Sequence, residues 1–176
     1  VDLPKVWKTL SSHGPKATLE FTTDMHGLKQ AFYLAGGVRV FESVYKEGPF
    51  YLSLYGQFQM KDEDISRQLS QIINSQRQFF NDNQFPYFAV TLIQSENPKT
   101  SGSISLTNSL ASFMPHAAGN KTFTMLVGHE NLHNWLGGRI PCAEDDVKHF
   151  WWREGFTEYF VRAIALSSKS LIFEDF

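Results

Sequence analysis

The sequence predicts an α+β fold with a β-rich first part and its helices gathered towards the end. Three observations carry this. Before residue 60, β-branched and aromatic segments run between Gly and Pro breaks. From residue 61, apolar residues recur at helical spacing. Beyond residue 120, two more helical segments follow, joined by a short connector. The chain is therefore divided into a β-rich N-terminal part, residues 1–60, and a unit of mixed α and β, residues 61–176.

The elements follow in order. "ATLEFTT" (17–23), "VRVFESVY" (38–45) and "PFYLSLYGQF" (49–58) read as strands. A helix begins near Lys61, where Ile65, Leu69, Ile72, Ile73, Gln76 and Phe80 trace one stripe. Asp62 or Asp64 is expected to cap its start, and the acidic cluster suits the positive end of the helix dipole. "YFAVTLIQ" (87–94) reads as a buried strand, and "SGSISLTNSLASF" (101–113) as another with light alternation. "TFTMLVGHENLHNWL" (122–136) reads as a helix stopped by Gly137 and Gly138. "RIPCAEDDVK" is a connector, and "WWREGFTEYFVRAIALSS" (151–168) is the last helix.

Composition bounds the rest. The chain has 176 residues, enough for one sizeable core or two small subdomains. A hydrophobic share of 42% with 15% aromatics is a globular composition. A net charge of −2 favours neither nucleic acid nor an anionic membrane as partner. The single cysteine, Cys142, excludes an internal disulfide and leaves the compartment open. The apolar runs are too short to make a transmembrane segment. The chain starts at Val1 and stops soon after its last patterned segment, so we expect a piece of a longer protein.

The chemistry gathers in "GHENLHNW" (128–135). Each helical residue advances about 100°, so His129 and His133 lie one turn apart, with Glu130 on the flank of the same side. Gly128, Leu132 and Trp135 fall on a separate arc, roughly 110° away, that would face the core. Gly128 is small there, which would admit a close neighbour. Two neutral imidazoles at this spacing can hold one Zn²⁺, with the adjacent glutamate in reach of its water. A catalytic site needs a third ligand, and Glu154 is the best candidate. Glu158 follows one turn later, placed to accept the free N–H of a ligating histidine. Two neutral ligands and one carboxylate would leave the centre positive and acidify the water. Glu130 would take the water's proton and hand it to the leaving amine.

Other residues carry plainer readings. His13, His26, His116 and His149 read as surface or loop histidines, with His116 the nearest to the site in sequence pattern. Trp151 and Trp152 read as core. Glu144, Asp145 and Asp146 read as a solvated acidic turn, and Cys142 has no zinc-type partner beside it.

"HENLHNW" followed by "WWREGFTEYF" resembles the gluzincin metallopeptidases, and among them the chain is most similar to the glycyl aminopeptidase family. "LPKVW" (3–7) resembles that family's Leu-Pro-x-x-Trp segment, and His133, Trp135, Arg139 and Ile140 follow its pattern too. The resemblance implies a β-rich N-terminal domain and a thermolysin-like zincin catalytic domain, here without its C-terminal helical subdomain. A PDZ domain often follows in that family. It implies zinc on His129, His133 and Glu154, Glu130 as base, and removal of small N-terminal residues such as Gly or Ala from peptide or protein substrates. Two departures accompany it. The family's substrate strand carries a Gly-x-Leu-Glu-His pattern followed by Ser, and the resemblance implies that its glutamate helps hold the free amine of the substrate. Here Gly102, Ser103, Ile104 and Ser105 form the matching strand, with Ser105 in the glutamate's place and Leu106 in the histidine's. That strand would still bind an extended peptide by edge pairing. The oxyanion-stabilising Tyr or His of the gluzincins would come from beyond residue 176. Two functions follow: a zinc peptidase, aminopeptidase-like, or a catalytically weak or inactive module of the same fold that binds peptides.

Overall fold

A computed structural model describes residues 3–16, 18, 20–45, 48–82, 88–97, 99–140 and 150–176. The elements are β1 (Lys8–Ser11), α1 (Met25–Lys29), β2 (Tyr33–Gly36), β3 (Arg39–Tyr45), β4 (Gly48–Tyr55), α2 (Asp62–Phe79), β5 (Phe88–Ser95), β6 (Gly102–Leu106), β7 (Ser109–Pro115), α3 (Asn120–Leu132) and α4 (Phe150–Ser167). A 3₁₀ turn spans Phe173–Asp175. The α+β class and the β-rich first part are as expected. Among the described residues, no helix is long and apolar enough to cross a membrane.

Five strands form one sheet in the order β3-β4-β5-β7-β6, and β1 pairs with β2 separately. β4, β5 and β7 run parallel, while β3 and β6 lie antiparallel at the two edges. A parallel step needs a crossover, and α2 supplies it between β4 and β5. β5 is buried continuously from Phe88 to Leu92, as a central strand covered on both faces must be. Its one hydroxyl there, Thr91, is satisfied by Ser53 at 2.7 Å. The boundary expected at residue 60 falls between β4 and α2, yet β3 and β4 share this sheet with β5, β6 and β7.

The stripe on α2 becomes the core. Ile65, Leu69, Ile72 and Ile73 pack against Leu52, Leu54, Val90, Phe123 and Val127. Each such fully buried aliphatic side chain contributes ~1.5–3 kcal/mol. A second cluster joins Leu132, Trp135, Leu136, Val161 and Ile164, with Phe80 and Trp152 partly buried against it. Gly128 faces inward as expected, and a Cβ there would meet Val161 Cγ2 at 2.8 Å, so α4 lies against α3 only because this residue is glycine.

Buried amides fix α2 against α3. Gln76 Nε2 donates to the Gly128 carbonyl at 2.8 Å, and Asn131 Nδ2 donates to Gln76 Oε1 at 2.6 Å. Replacing Gln76 with Leu strands the Asn131 amide in the interior and should destabilise the fold by ~1–3 kcal/mol. Calorimetry of Gln76→Leu, Asn131→Leu and the double variant checks this. The double variant should lose less than the sum, and full additivity would remove the bond from the account.

Several expectations change. "ATLEFTT" forms no strand among its described residues, which run exposed and irregular up to α1. Strand-like composition there meets no pairing edge. Phe21 instead stacks on His13 at 3.9 Å. The short strands β1 and β2 were not expected at all. Residues 101–113 are not one strand but a hairpin, β6 and β7, that turns at Thr107 and Asn108, where Asn108 adopts φ 49°. Neither Asp62 nor Asp64 caps α2. Lys61 is the N-cap without a side-chain bond, and Asp62 is held by Arg39. Trp151 is 66% exposed rather than core. Tyr87, Cys142, Glu144, Asp145, Asp146 and His149 lie outside the described residues.

Candidate metal centre

α3 ends sooner than its pattern suggested, at Leu132, and His133 is its C-cap. His133 keeps helical angles, φ −63° and ψ −14°, so the one-turn spacing from His129 survives. The two rings meet edge to face with centroids 4.9 Å apart. The turn beyond is anchored to the end of α2. Trp135 stacks on Phe80 at 4.7 Å, its indole N–H donates to Asp82 at 2.8 Å, and Arg139 pairs with the same carboxylate.

α4 brings Glu154 and Glu158 to these histidines. Glu154 Oε2 lies 3.0 Å from His129 Nε2 and 3.6 Å from His133 Nε2. His129 Nδ1 donates to Glu158 Oε1 at 2.8 Å, and His133 Nδ1 donates to the Leu136 carbonyl at 3.2 Å. Both imidazoles are thereby oriented with Nε2 towards one point, beside Glu154. The three ligand atoms lie within 4.8 Å of one another. Tetrahedral zinc with bonds of about 2.0–2.1 Å asks for ligand atoms about 3.3 Å apart, so the donor set fits the ion with small adjustments. Among the described residues, no other three His, Cys, Asp or Glu side chains converge in this way.

The electrostatics suit ligation. Burial pushes the His133 pKa down, which keeps the ring neutral and its Nε2 lone pair free. Burial would raise the Glu154 carboxyl, but the Arg153 hydrogen bond and the two imidazoles outweigh it and hold the pKa below its usual value. Burial also raises Glu130, partly offset by His129. The Ser105 backbone N–H donates to the Glu130 carboxylate and opposes the rise as well. Glu130 is thus outside the ligand trio and beside it, with a carboxyl more basic than normal. Glu158 touches His129 and is itself held by Arg162. Glu158→Ala should weaken zinc binding by about 10–100-fold. Competition with a chromogenic chelator measures it, and unchanged affinity would dismiss the contact as incidental.

His129, Glu130, His133 and Glu154 line an open cleft of about 700 Å³. Its opposite wall is the outer edge of β6, where Ser103, Ile104 and Ser105 line it and Gly102 starts the strand. The Ser105 N–H points outward to Glu130, and strand alternation turns the backbone of Ser103 the same way. His26 of α1 and Gln30, its C-cap, complete the wall. His26, expected at the surface, lines the cleft, and so do Gln30 and Arg153, which no sequence pattern singles out. The signal for α1 is tertiary: the Gln30 carbonyl accepts the Thr107 N–H at 2.8 Å and docks the segment on the hairpin turn. His116 is not part of the cleft lining; it contacts the Gln57 carbonyl at 2.8 Å.

The chain has the fold found in part of the aminopeptidase N-like zinc metallopeptidases. It matches the aminopeptidase N family protein from Idiomarina loihiensis with a TM-score of 0.75 at 19% identity, over 94% of this chain and 32% of that one. It also matches the M1 zinc metallopeptidase from Deinococcus radiodurans with a TM-score of 0.54 at 14% identity, over 94% of this chain and 39% of that one. A variant of a two-domain M1 zinc metallopeptidase, solved bound to L-arginine, gives 0.55 at 14% identity. The chain therefore spans about a third of the length of these structures. No protein-family model and no curated protein matches the sequence.

Proposed function

We propose that this chain carries the zinc site of an aminopeptidase-like metallopeptidase. The supporting observation is the convergence of His129 Nε2, His133 Nε2 and Glu154 Oε2, with Glu130 beside them at the floor of an open cleft. The similarity of fold to zinc metallopeptidases supports the same reading. When bound, Zn²⁺ would supply Lewis-acid polarisation of the scissile carbonyl and acidify a water. His129, His133 and Glu154 hold the ion, and Glu158 and the Leu136 carbonyl orient the two rings. Glu130 accepts the proton of the attacking water and returns it to the leaving amine, a transfer favoured by its raised pKa. The free edge of β6 binds the peptide in extended form through the backbone of Ser103 and the carbonyl of Ser105, whose N–H serves Glu130. Further domains of the same protein would complete the cleft.

The test uses the natural full-length protein. Metal analysis after loading should find one zinc per chain, and peptide amides of Ala and Gly should release amine at a zinc-dependent rate. Absence of bound zinc would end this reading.

A further inference from the structure

The cleft contains a cation that neither ligation nor proton transfer uses. Arg153 precedes Glu154 and lines the same cavity. Its aliphatic stem lies across Gly137, where an added Cβ would sit 2.7 Å from Arg153 Cδ. Gly137 also adopts φ +92°, so both the turn and the close approach call for glycine. The Arg153 Nε–H donates to Glu154 Oε1 at 3.0 Å. These two restraints hold the guanidinium beside the Glu154 carboxylate. Its terminal amino groups have no other partner among the described residues, and the side chain is 48% exposed.

The remaining charges of the cleft sharpen this. Its two carboxylates are engaged: Glu154 with the imidazoles and Arg153, Glu130 with the Ser105 N–H. The facing wall offers hydroxyls, an amide and an imidazole, with no negative group among its described residues. Both carboxylates already have a role, at the metal or in proton transfer, so the described lining sets none aside for a substrate ammonium. A substrate carboxylate finds a guanidinium whose fork matches it.

We propose that Arg153 is a specificity-determining residue that binds a carboxylate of the peptide substrate close to the scissile bond. The proposal rests on the peptidase reading and narrows its substrate class. The carboxylate belongs to a residue flanking the cut bond, because the guanidinium is joined directly to the ligand Glu154. It comes either from an Asp or Glu side chain or from the end of a short peptide.

Binding to the zinc-loaded full-length protein, made inert by Glu130→Gln, tests this by titration calorimetry. The probes are acetylated, amidated tetra-alanine; the same peptide with one Glu or one Lys at each position in turn; and the neutral peptide with a free C-terminal carboxylate. At least one carboxylate-bearing peptide should bind about tenfold more tightly than the neutral one, with the advantage shrinking as salt rises. Which probe wins separates the side chain from the chain end. Arg153→Met should abolish the preference, and Arg153→Lys should keep part of it. Should Arg153→Met fail to hold zinc, Arg153→Lys decides: a carboxylate preference undiminished in that variant belongs to the metal and overturns the proposal. Equal binding of neutral and carboxylate-bearing peptides, or tightest binding of a Lys peptide, overturns the proposal. Zinc content of the same samples separates the two failures: full occupancy without preference removes the Arg153 role only, and absent zinc removes the reading beneath it.

Discussion

Glu130→Gln is expected to lower kcat of the zinc-loaded full-length protein by about 10³-fold, within the range for loss of a general base. Zinc content should stay at one per chain, since Glu130 is not among the three converging ligand atoms. The substitution is close to isosteric. The amide oxygen still accepts the Ser105 N–H that the carboxylate accepts now, so the contact between α3 and the edge strand survives. What vanishes is a site that can take a proton. Steady-state kinetics beside metal analysis make the comparison. Hydrolysis at the original rate with zinc in place would show that the proton goes elsewhere.

Glu154→Ala should abolish activity by a different route, through the metal. It removes the single ligand atom that faces both imidazoles, and zinc affinity should fall by more than about 100-fold, beyond the loss expected for an outer contact such as Glu158. It also leaves Arg153 without its carboxylate partner next to two ring nitrogens. The fold should persist. The ligands lie outside the main core, where Leu54, Leu69, Val90, Leu110 and Val127 pack without them. Circular dichroism should therefore be native-like while dialysis finds no zinc. In the unaltered protein, added zinc should raise the melting temperature by mass action, and in this variant it should not. A Glu154→Ala protein that binds zinc normally would displace Glu154 from the ligand set.

The parts of the fold legible in the sequence were those with a strong local period. The stripe from Ile65 to Gln76 is helical in sequence and helical in the molecule, because a 3.6-residue repeat places those side chains on one face whatever that face meets. β3, β4 and β5 were legible for the same kind of reason, through β-branched and aromatic runs between breaks. The hairpin of β6 and β7 was not. Ser109, Leu110, Ala111 and Ser112 are all buried, so alternation is lost, and only Asn108 with its positive φ marks the turn. "ATLEFTT" erred in the other direction, since composition cannot tell whether a partner edge is near. The missed cap has a similar origin: Asp62, at the start of α2, is held by Arg39 of β3.

The site divides along the same line. The sequence by itself determined that His129, Glu130 and His133 share one side of a helical turn, and that Gly128 and Leu132 point to the core. Those relations follow from covalent spacing and helix geometry alone. Only the tertiary structure decided that Glu154 Oε2 arrives 3.0 and 3.6 Å from the two imidazoles, that β6 is an edge strand whose free side faces them, and that α1 docks beside it. It alone laid Arg153 across Gly137. These placements come from burying faces of elements far apart in the chain, and no local period encodes which faces will meet.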